Sequence, residues 1–187
     1  MARLRKNVAY RNLERPYTRV SKYRELSYVK ARPHIKVVRF DMGNLKGDFQ
    51  VVVRLLSDKD MQIRQESIEA ARQTTNKFLE KKLGKVGYYF RIRMFPHHVL
   101  RENPLATGAG ADRLSTGMSH AFGKPIGVAA QVKKGKVLFE VFVDEKNVDV
   151  AKKALKRAVH KLPLSGVIKV EKVNKEGVNK ESVVKAM

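Results

Sequence analysis

The stretch Gly117–Pro125, GMSHAFGKP, ends in a glycine-lysine pair, a pattern in which backbone N–H groups and a lysine can cradle a phosphate. Five residues separate Gly117 from Gly123, where a nucleotide-binding loop has about four. Lys124 is followed by Pro125 instead of the Ser or Thr that would hold magnesium. The run after it, PIGVAAQV, reads as a strand, so no helix N-terminus waits for the phosphate, and a nucleotide site is excluded. His97 and His98 are adjacent, which on extended backbone sends them to opposite faces. His34, His120 and His160 have no partner at metal-ligand spacing. The histidines therefore read as structural or RNA-facing, and no metal site is expected. Asp112, Ser115 and His120 are residue types of a hydrolase site, yet nothing resembles a nucleophile on a strand-to-helix elbow. The sequence thus predicts no catalytic residue, no cofactor and no small-molecule substrate.

Charge points to a different chemistry. Forty Lys and Arg face eighteen Asp and Glu, a formal net charge of +22, far more than solubility asks for and self-repelling unless a polyanion shares the surface. No apolar run approaches the roughly 18 residues of a spanning helix, so nucleic acid is the expected partner, with no membrane, in a soluble cytosolic protein. The absence of cysteine excludes disulfides and Cys-containing zinc sites.

The excess is densest in residues 1–33, which hold ten Lys or Arg against Glu14 and Glu25, a net +8. Tyr10, Tyr17, Tyr23 and Tyr28 lie among these charges without helical or strand period. This segment reads as an extended basic arm, irregular in isolation, whose Arg3, Arg5, Lys6, Arg11, Arg15, Arg19, Lys22, Arg24 and Arg32 are candidate RNA contacts beside rings that stack on bases.

A folded pattern occupies residues 34–173. HIKVVRF and FQVVVRLL read as strands joined by a turn in DMGNLKGD. Ser57 and Asp60 suggest a capping-box-like start for a helix over 58–83, carried by Ile68, Ala71, Thr75, Phe78 and Leu79 and stopped at Gly84. GYYFRIRMF alternates Phe90, Ile92 and Met94 with Arg91 and Arg93, so a sheet would turn those two arginines outward as a second contact surface. PIGVAAQV and KVLFEVFVD, joined by KKGK, precede a helix that Asn147 can cap and that Val150, Ala154, Ala158 and Leu162 would bury. SGVIKVEKV closes the domain as a strand. Each half is strand, strand, helix, strand, which predicts one α+β domain with two helices on a largely antiparallel sheet. Residues 174–187 read as a flexible tail.

Between Leu100 and Gly127 about twenty residues show no element, a length that is functional or disordered inside a compact domain. Gly108 and Gly110 permit positive φ and close backbone approach. Pro104 and Pro125 stiffen the flanks, and Arg101, Arg113 and Lys124 supply cations. The segment is suited to reaching another surface.

AGADRLSTGMSHAFGKPIGVAAQV (Ala109–Val132) closely resembles the signature of the universal large-subunit ribosomal protein L-sixteen family in its archaeal and eukaryotic form, usually called L-ten-e. EAARQTTNKFLEK and FRIRMFPHHVLREN resemble the family's first helix and the strand after it, so the resemblance spans roughly residues 10–170. Ser119 stands where the family pattern leads one to expect arginine, and the length and lack of cysteine fit an archaeal member. The resemblance implies a hammerhead-type two-layer α+β domain lodged in large-subunit rRNA between the central protuberance and the stalk base, beside neighbouring ribosomal proteins in the cytoplasmic ribosome. It further implies that loop 101–117, with Arg101, Gly108, Gly110, Asp112 and Arg113, extends towards the peptidyl-transferase region and tRNA acceptor ends. A free RNA-processing enzyme or chaperone with a basic arm is the competing class, distinguished by turnover.

Overall fold

The structure is a computed structural model that describes residues 4–103, 108–110 and 122–173. The expectations for Arg3, Asp112, Arg113, Ser119, most of loop 101–117 and the tail 174–187 fall outside the described residues. In chain order the described elements are β1 (Asp41–Gly43), β2 (Val51–Ser57), β3 (Met61–Arg64), α1 (Gln65–Leu83), β4 (Tyr89–Ile92), β5 (His98–Glu102), β6 (Lys124–Val132), β7 (Val137–Val143), α2 (Val148–Val159) and β8 (Gly166–Lys172). The protein is α+β, and the described pairings are antiparallel.

The strands form two sheets where the sequence suggested one: β1-β4-β7-β2-β8 and β3-β6-β5. In the larger sheet β4 and β2 both run antiparallel to β7, so β2, α1 and β4 make a β-α-β unit split by β7. By the same logic β7, α2 and β8 make a unit split by β2. The β-α-β-β-α-β order is of the ferredoxin-like type. The repeated unit is therefore strand-helix-strand. The extra strands of each half, β3 and β6, leave the main sheet to pair with each other and with β5.

The period of two decides what each sheet face buries. Val51, Val53 and Leu55 of β2, Phe90 and Ile92 of β4, and Phe139, Val141 and Val143 of β7 share one face by register and are all at most 4% exposed. They join Ile68, Ala71 and Leu79 of α1 with Ala151, Ala154, Leu155 and Ala158 of α2 in one core. Alanines at these positions let α2 approach closely, and alternation on β4 places Met94 inside while Arg91 and Arg93 leave by the other face. Gly84, at φ 69°, closes α1 and donates its N–H to Glu80 O at 3.0 Å.

Several local expectations give way to tertiary pairing. HIKVVRF is not a strand: Val37 is buried and Val38 is exposed, but Lys36 N–H donates to the Gln65 side-chain oxygen at 2.9 Å instead of to a neighbouring strand. Pairing begins only at Asp41, and Gly43 lies in β1 instead of in the turn. Its φ of 87° and the 2.3 Å that would separate an added Cβ from Tyr88 O explain the glycine. The first helix starts at Gln65, not Asp58. Ser57 ends β2 and donates its hydroxyl to Lys59 O at 2.7 Å, and Asp60 accepts Lys134 N–H at 2.6 Å. These bonds turn the chain into β3, whose Met61 and Ile63 are buried. Arg64 is the N-cap and makes no side-chain cap bond. Asn147 is the N-cap of α2, also without such a bond, and Leu162 is buried beyond the helix end.

The core strand β4 carries the first prediction. Phe90 is 0% exposed and its ring meets Phe139 at 5.5 Å, so Phe90→Ala should destabilise the domain by about 3–5 kcal/mol. Thermal melting checks it, and an unchanged midpoint would contradict this placement of the core.

Candidate nucleic-acid interface

The N-terminal segment is irregular, with 3-10 turns at Asn7–Tyr10 and Arg24–Leu26. Yet it is fastened to the smaller sheet, which the absence of an apolar period did not foretell. Tyr17 N–H donates to His98 Nδ1 at 2.9 Å, and Val99 N–H returns a bond to Tyr17 O at 3.3 Å. Gln131 donates to Glu14 O at 2.8 Å, Arg64 donates to Arg5 O at 2.9 Å, and Gln62 donates to Asn12 O. Val29 adds a small apolar cluster with Val99 and Val128, against which Tyr17 and Ile35 pack. Burying one valine is worth about 1.5 kcal/mol or more. The exposed Arg5–Glu102 pair, at 2.7 Å, is worth about 0–1 kcal/mol. Backbone bonds and the valine cluster, more than ion pairs, hold the segment.

The pins fix which cations face out. Lys6, Arg11, Arg15, Lys22 and Arg24 are exposed and make no ion pair with another described residue. Arg5 is neutralised by Glu102. Arg19 donates to the Tyr28 hydroxyl at 3.2 Å and lies 5.0 Å from its ring centroid, while Tyr28 stacks on Tyr17 at 6.0 Å. Arg32 lies 5.9 Å from the Phe95 centroid. The scattered tyrosines thus hold guanidinium groups in place, a cation–π use that leaves the N–H edges available.

Arg101 stacks 4.0 Å from the Tyr17 centroid and 5.7 Å from that of Phe122. This joins β5, the N-terminal segment and the end of the glycine-rich connection. Gly108 and Gly110 are exposed at φ 122° and 75°. Gly123, at φ 76°, brings its backbone so close to Glu102 that a Cβ would lie 2.4 Å from the carbonyl carbon. Lys124 opens β6, exposed, opposite Glu102 in register. The glycine-lysine pair therefore leads into a strand.

Arg91 and Arg93 are less free than their outward direction suggested. Across the face of the larger sheet away from the helices, Asp41, Arg91, Glu140, Arg54 and Lys169 stand in one cross-strand row. Arg91 lies 3.5 Å from Asp41, and Arg93 and Arg54 lie 3.6 and 3.1 Å from Glu140. Arg54 also reaches Glu171. Sequence reasoning passes over Arg54, although its place between the buried Val53 and Leu55 marks it as outward-facing. Beside the row Tyr89 stacks on Phe142 at 5.1 Å and donates to Asp41 at 2.7 Å. Burial, then that hydrogen bond, push its hydroxyl up to about 12, so it remains a neutral donor.

The adjacent histidines differ in burial, His97 half-buried and His98 buried. His98 is buried, its Nδ1 accepts from Tyr17, and its Nε2 in the neutral ring carries the proton. His97 Nδ1 lies 3.1 Å from Phe95 O, a carbonyl that only accepts, so its proton sits on Nδ1. Among the described residues no group of His, Asp or Glu is placed to hold a metal ion. Among them, too, no helix is long and apolar enough to cross a membrane.

Comparison with known proteins identifies the family. The family described as "Ribosomal protein L16p/L10e" matches residues 14–169. The chain belongs to this family. It is a family of ribosomal proteins, not of enzymes. The chain is 45% identical over 163 residues to the large ribosomal subunit protein uL16 of Archaeoglobus fulgidus, covering 87% of this chain and 90% of that one. It is 47% identical to that of Thermofilum pendens, covering 83% and 89%, and 50% identical to that of Methanoculleus marisnigri, covering 82% and 88%.

His98 supplies a pH prediction for this L16p/L10e member. Burial lowers the His98 pKa below its ordinary 6.5, and protonation would remove the acceptor that Tyr17 uses. A depressed folded-state pKa means the pin contributes fully above the unfolded value and is lost as pH falls through the folded value. Amide exchange at Tyr17, corrected for its intrinsic rate, should accelerate over that acid interval while Phe90 stays protected. Constant protection at Tyr17 would show that His98 is not the pin.

Proposed function

We propose that this chain is a structural constituent of the large ribosomal subunit, which binds large-subunit rRNA near the central protuberance and stalk base and helps to position tRNA acceptor ends near the peptidyl-transferase centre. Residues 1–33 serve as the basic arm, residues 34–173 as one hammerhead-type RNA-binding domain, and 174–187 as a tail. Loop 101–117, whose Arg101 and Glu102 still belong to β5, carries Gly108, Gly110, Asp112 and Arg113 towards tRNA. Arg3, Lys6, Arg11, Arg15, Arg19, Lys22, Arg24, Arg32 and Lys124 face rRNA, and Arg5, Arg91 and Arg93, held by Glu102, Asp41 and Glu140, line the same interface with less charge to offer, beside neighbouring ribosomal proteins in the cytoplasmic ribosome. No cofactor takes part.

The observation that carries this reading is the set of exposed cations Lys6, Arg11, Arg15, Lys22 and Arg24, which pair with no acid among the described residues and stand on a segment that its own sheet fixes in place. Preorganised cations meet phosphate with less conformational entropy to lose than a free tail would have. Family membership supplies the polyanion, since the matched relatives are named as proteins of the large ribosomal subunit.

Removing one cation that meets a phosphate should take about 0.7–0.9 off the slope of log affinity against log salt. Replacing Arg11, Arg15 and Arg19 together by Ala should therefore flatten binding to an rRNA fragment by about two units. Arg5→Ala should change it by well under about one unit, because Glu102 already holds that guanidinium. An unchanged slope in the triple variant would mean that these arginines face solvent in the complex.

A further inference from the structure

We infer that the groove between the N-terminal segment and the connection from β4 to β5 takes one unpaired nucleobase of RNA. The inference rests on the RNA-binding reading above. The groove encloses about 310 Å³ and is lined by Val20, Val29, Arg32, Phe95, His97 and Val99, with Thr18 at its rim. Its volume suits one small planar group.

Each wall offers what a nucleotide needs. Val29 and Val99, 8% and 2% exposed, belong to the small valine cluster and give an apolar floor. Val20 and Phe95 stand 69% and 48% exposed at the sides. Such apolar exposure in a strongly charged segment marks a contact site. The Phe95 ring is braced by Phe40, centroid to centroid 5.8 Å, so it is fixed before any ligand arrives. Arg32 lies 5.9 Å from the same ring and brings a cation to the slot. In the neutral His97 ring the Nδ1 proton faces Phe95 O, which leaves Nε2 to accept an N–H, such as the amino group of adenine. Among the described residues no acid lines the groove.

An aliphatic peptide side chain would use only the valines. A nucleotide uses everything present: a base face against Phe95, a phosphate for Arg32 and a base N–H for His97. Stacking on a preformed aromatic surface is tolerant of sequence, and the single acceptor adds a preference for bases that donate there.

The test is fluorescence anisotropy of the full chain with a short single-stranded oligoadenylate and with an RNA duplex of equal phosphate count. Phe95→Ala should weaken oligoadenylate about tenfold, the scale of one base stack, and duplex by less than about twofold. Val20→Glu guards against a folding artefact, because Val20 is exposed and outside the core. It should reproduce the selective loss with an unchanged melting temperature. Leu45→Glu, the same charge change on a side chain 64% exposed, should not. Equal losses on both RNAs, or no loss on oligoadenylate, overturn the inference; a groove that takes a peptide side chain would give the second. Wild-type protein that binds neither RNA at low salt would instead defeat the RNA-binding reading and this inference with it.

Discussion

Forty basic side chains meet eighteen acidic ones in this chain, and that surplus is the constraint on which the rest of the structure depends. The fold cannot neutralise it, so its few acids serve as positioning groups. Glu140, 7% exposed, holds Arg54 and Arg93. Glu102 holds Arg5. Glu69 grips Arg72 along α1 at 2.6 and 2.8 Å, and that hydrogen bond lowers the Glu69 pKa below its ordinary value. The acids keep particular guanidinium groups at fixed places, and many of the other described cations are exposed, where a polyanion would relieve their mutual repulsion.

Two devices meet that constraint with different strength. The larger sheet buries its apolar face under the helices and is stable without reference to charge. The smaller sheet adds Met61, Ile63, Ala130 and Val132 to that same core, and through Val99 and Val128 it also binds the N-terminal segment, whose backbone would otherwise stay hydrated. The rings of Tyr17 and Tyr28 connect the two roles. Tyr17 packs on the valine cluster and carries Arg101 on its ring, while Tyr28 stacks on Tyr17 and carries Arg19. The second sheet therefore acts as a mount that converts a basic tail into a shaped surface.

The sequence made the strongly periodic elements legible. β2, β4, β7 and the bodies of both helices follow from alternation and helical spacing, because burial of one face dictates both the pattern and the structure, whereas β8 is legible from its β-branched residues and buries none of them fully. The missed features depend on partners distant in the chain. β3 reads locally as a helix start, yet Met61 to Arg64 pair with residues 129–132 of β6. HIKVVRF has strand composition, but the Gln65 side chain takes one of its backbone N–H groups. The arm's attachment rests on scattered single-residue bonds, such as those from Tyr17 to His98 and from Gln131 to Glu14, which leave no period to read. Among the proposed RNA-facing residues, sequence marked Arg91 and Arg93 as outward-facing but could not show that Asp41 and Glu140 stand beside them. Family resemblance reached further than periodicity, because the Ala109–Val132 signature carries identity independently of any element.

We propose the unneutralised cations as the rRNA-binding surface of a stoichiometric ribosomal component. Sucrose-gradient fractionation of extract from cells expressing the full chain, probed for this protein and for large-subunit rRNA, tests it most directly. The account predicts one copy per large subunit, sedimenting with that particle and released as salt is raised. Recovery chiefly at the top of the gradient at low salt, or at a small fraction of a copy per subunit, would contradict it.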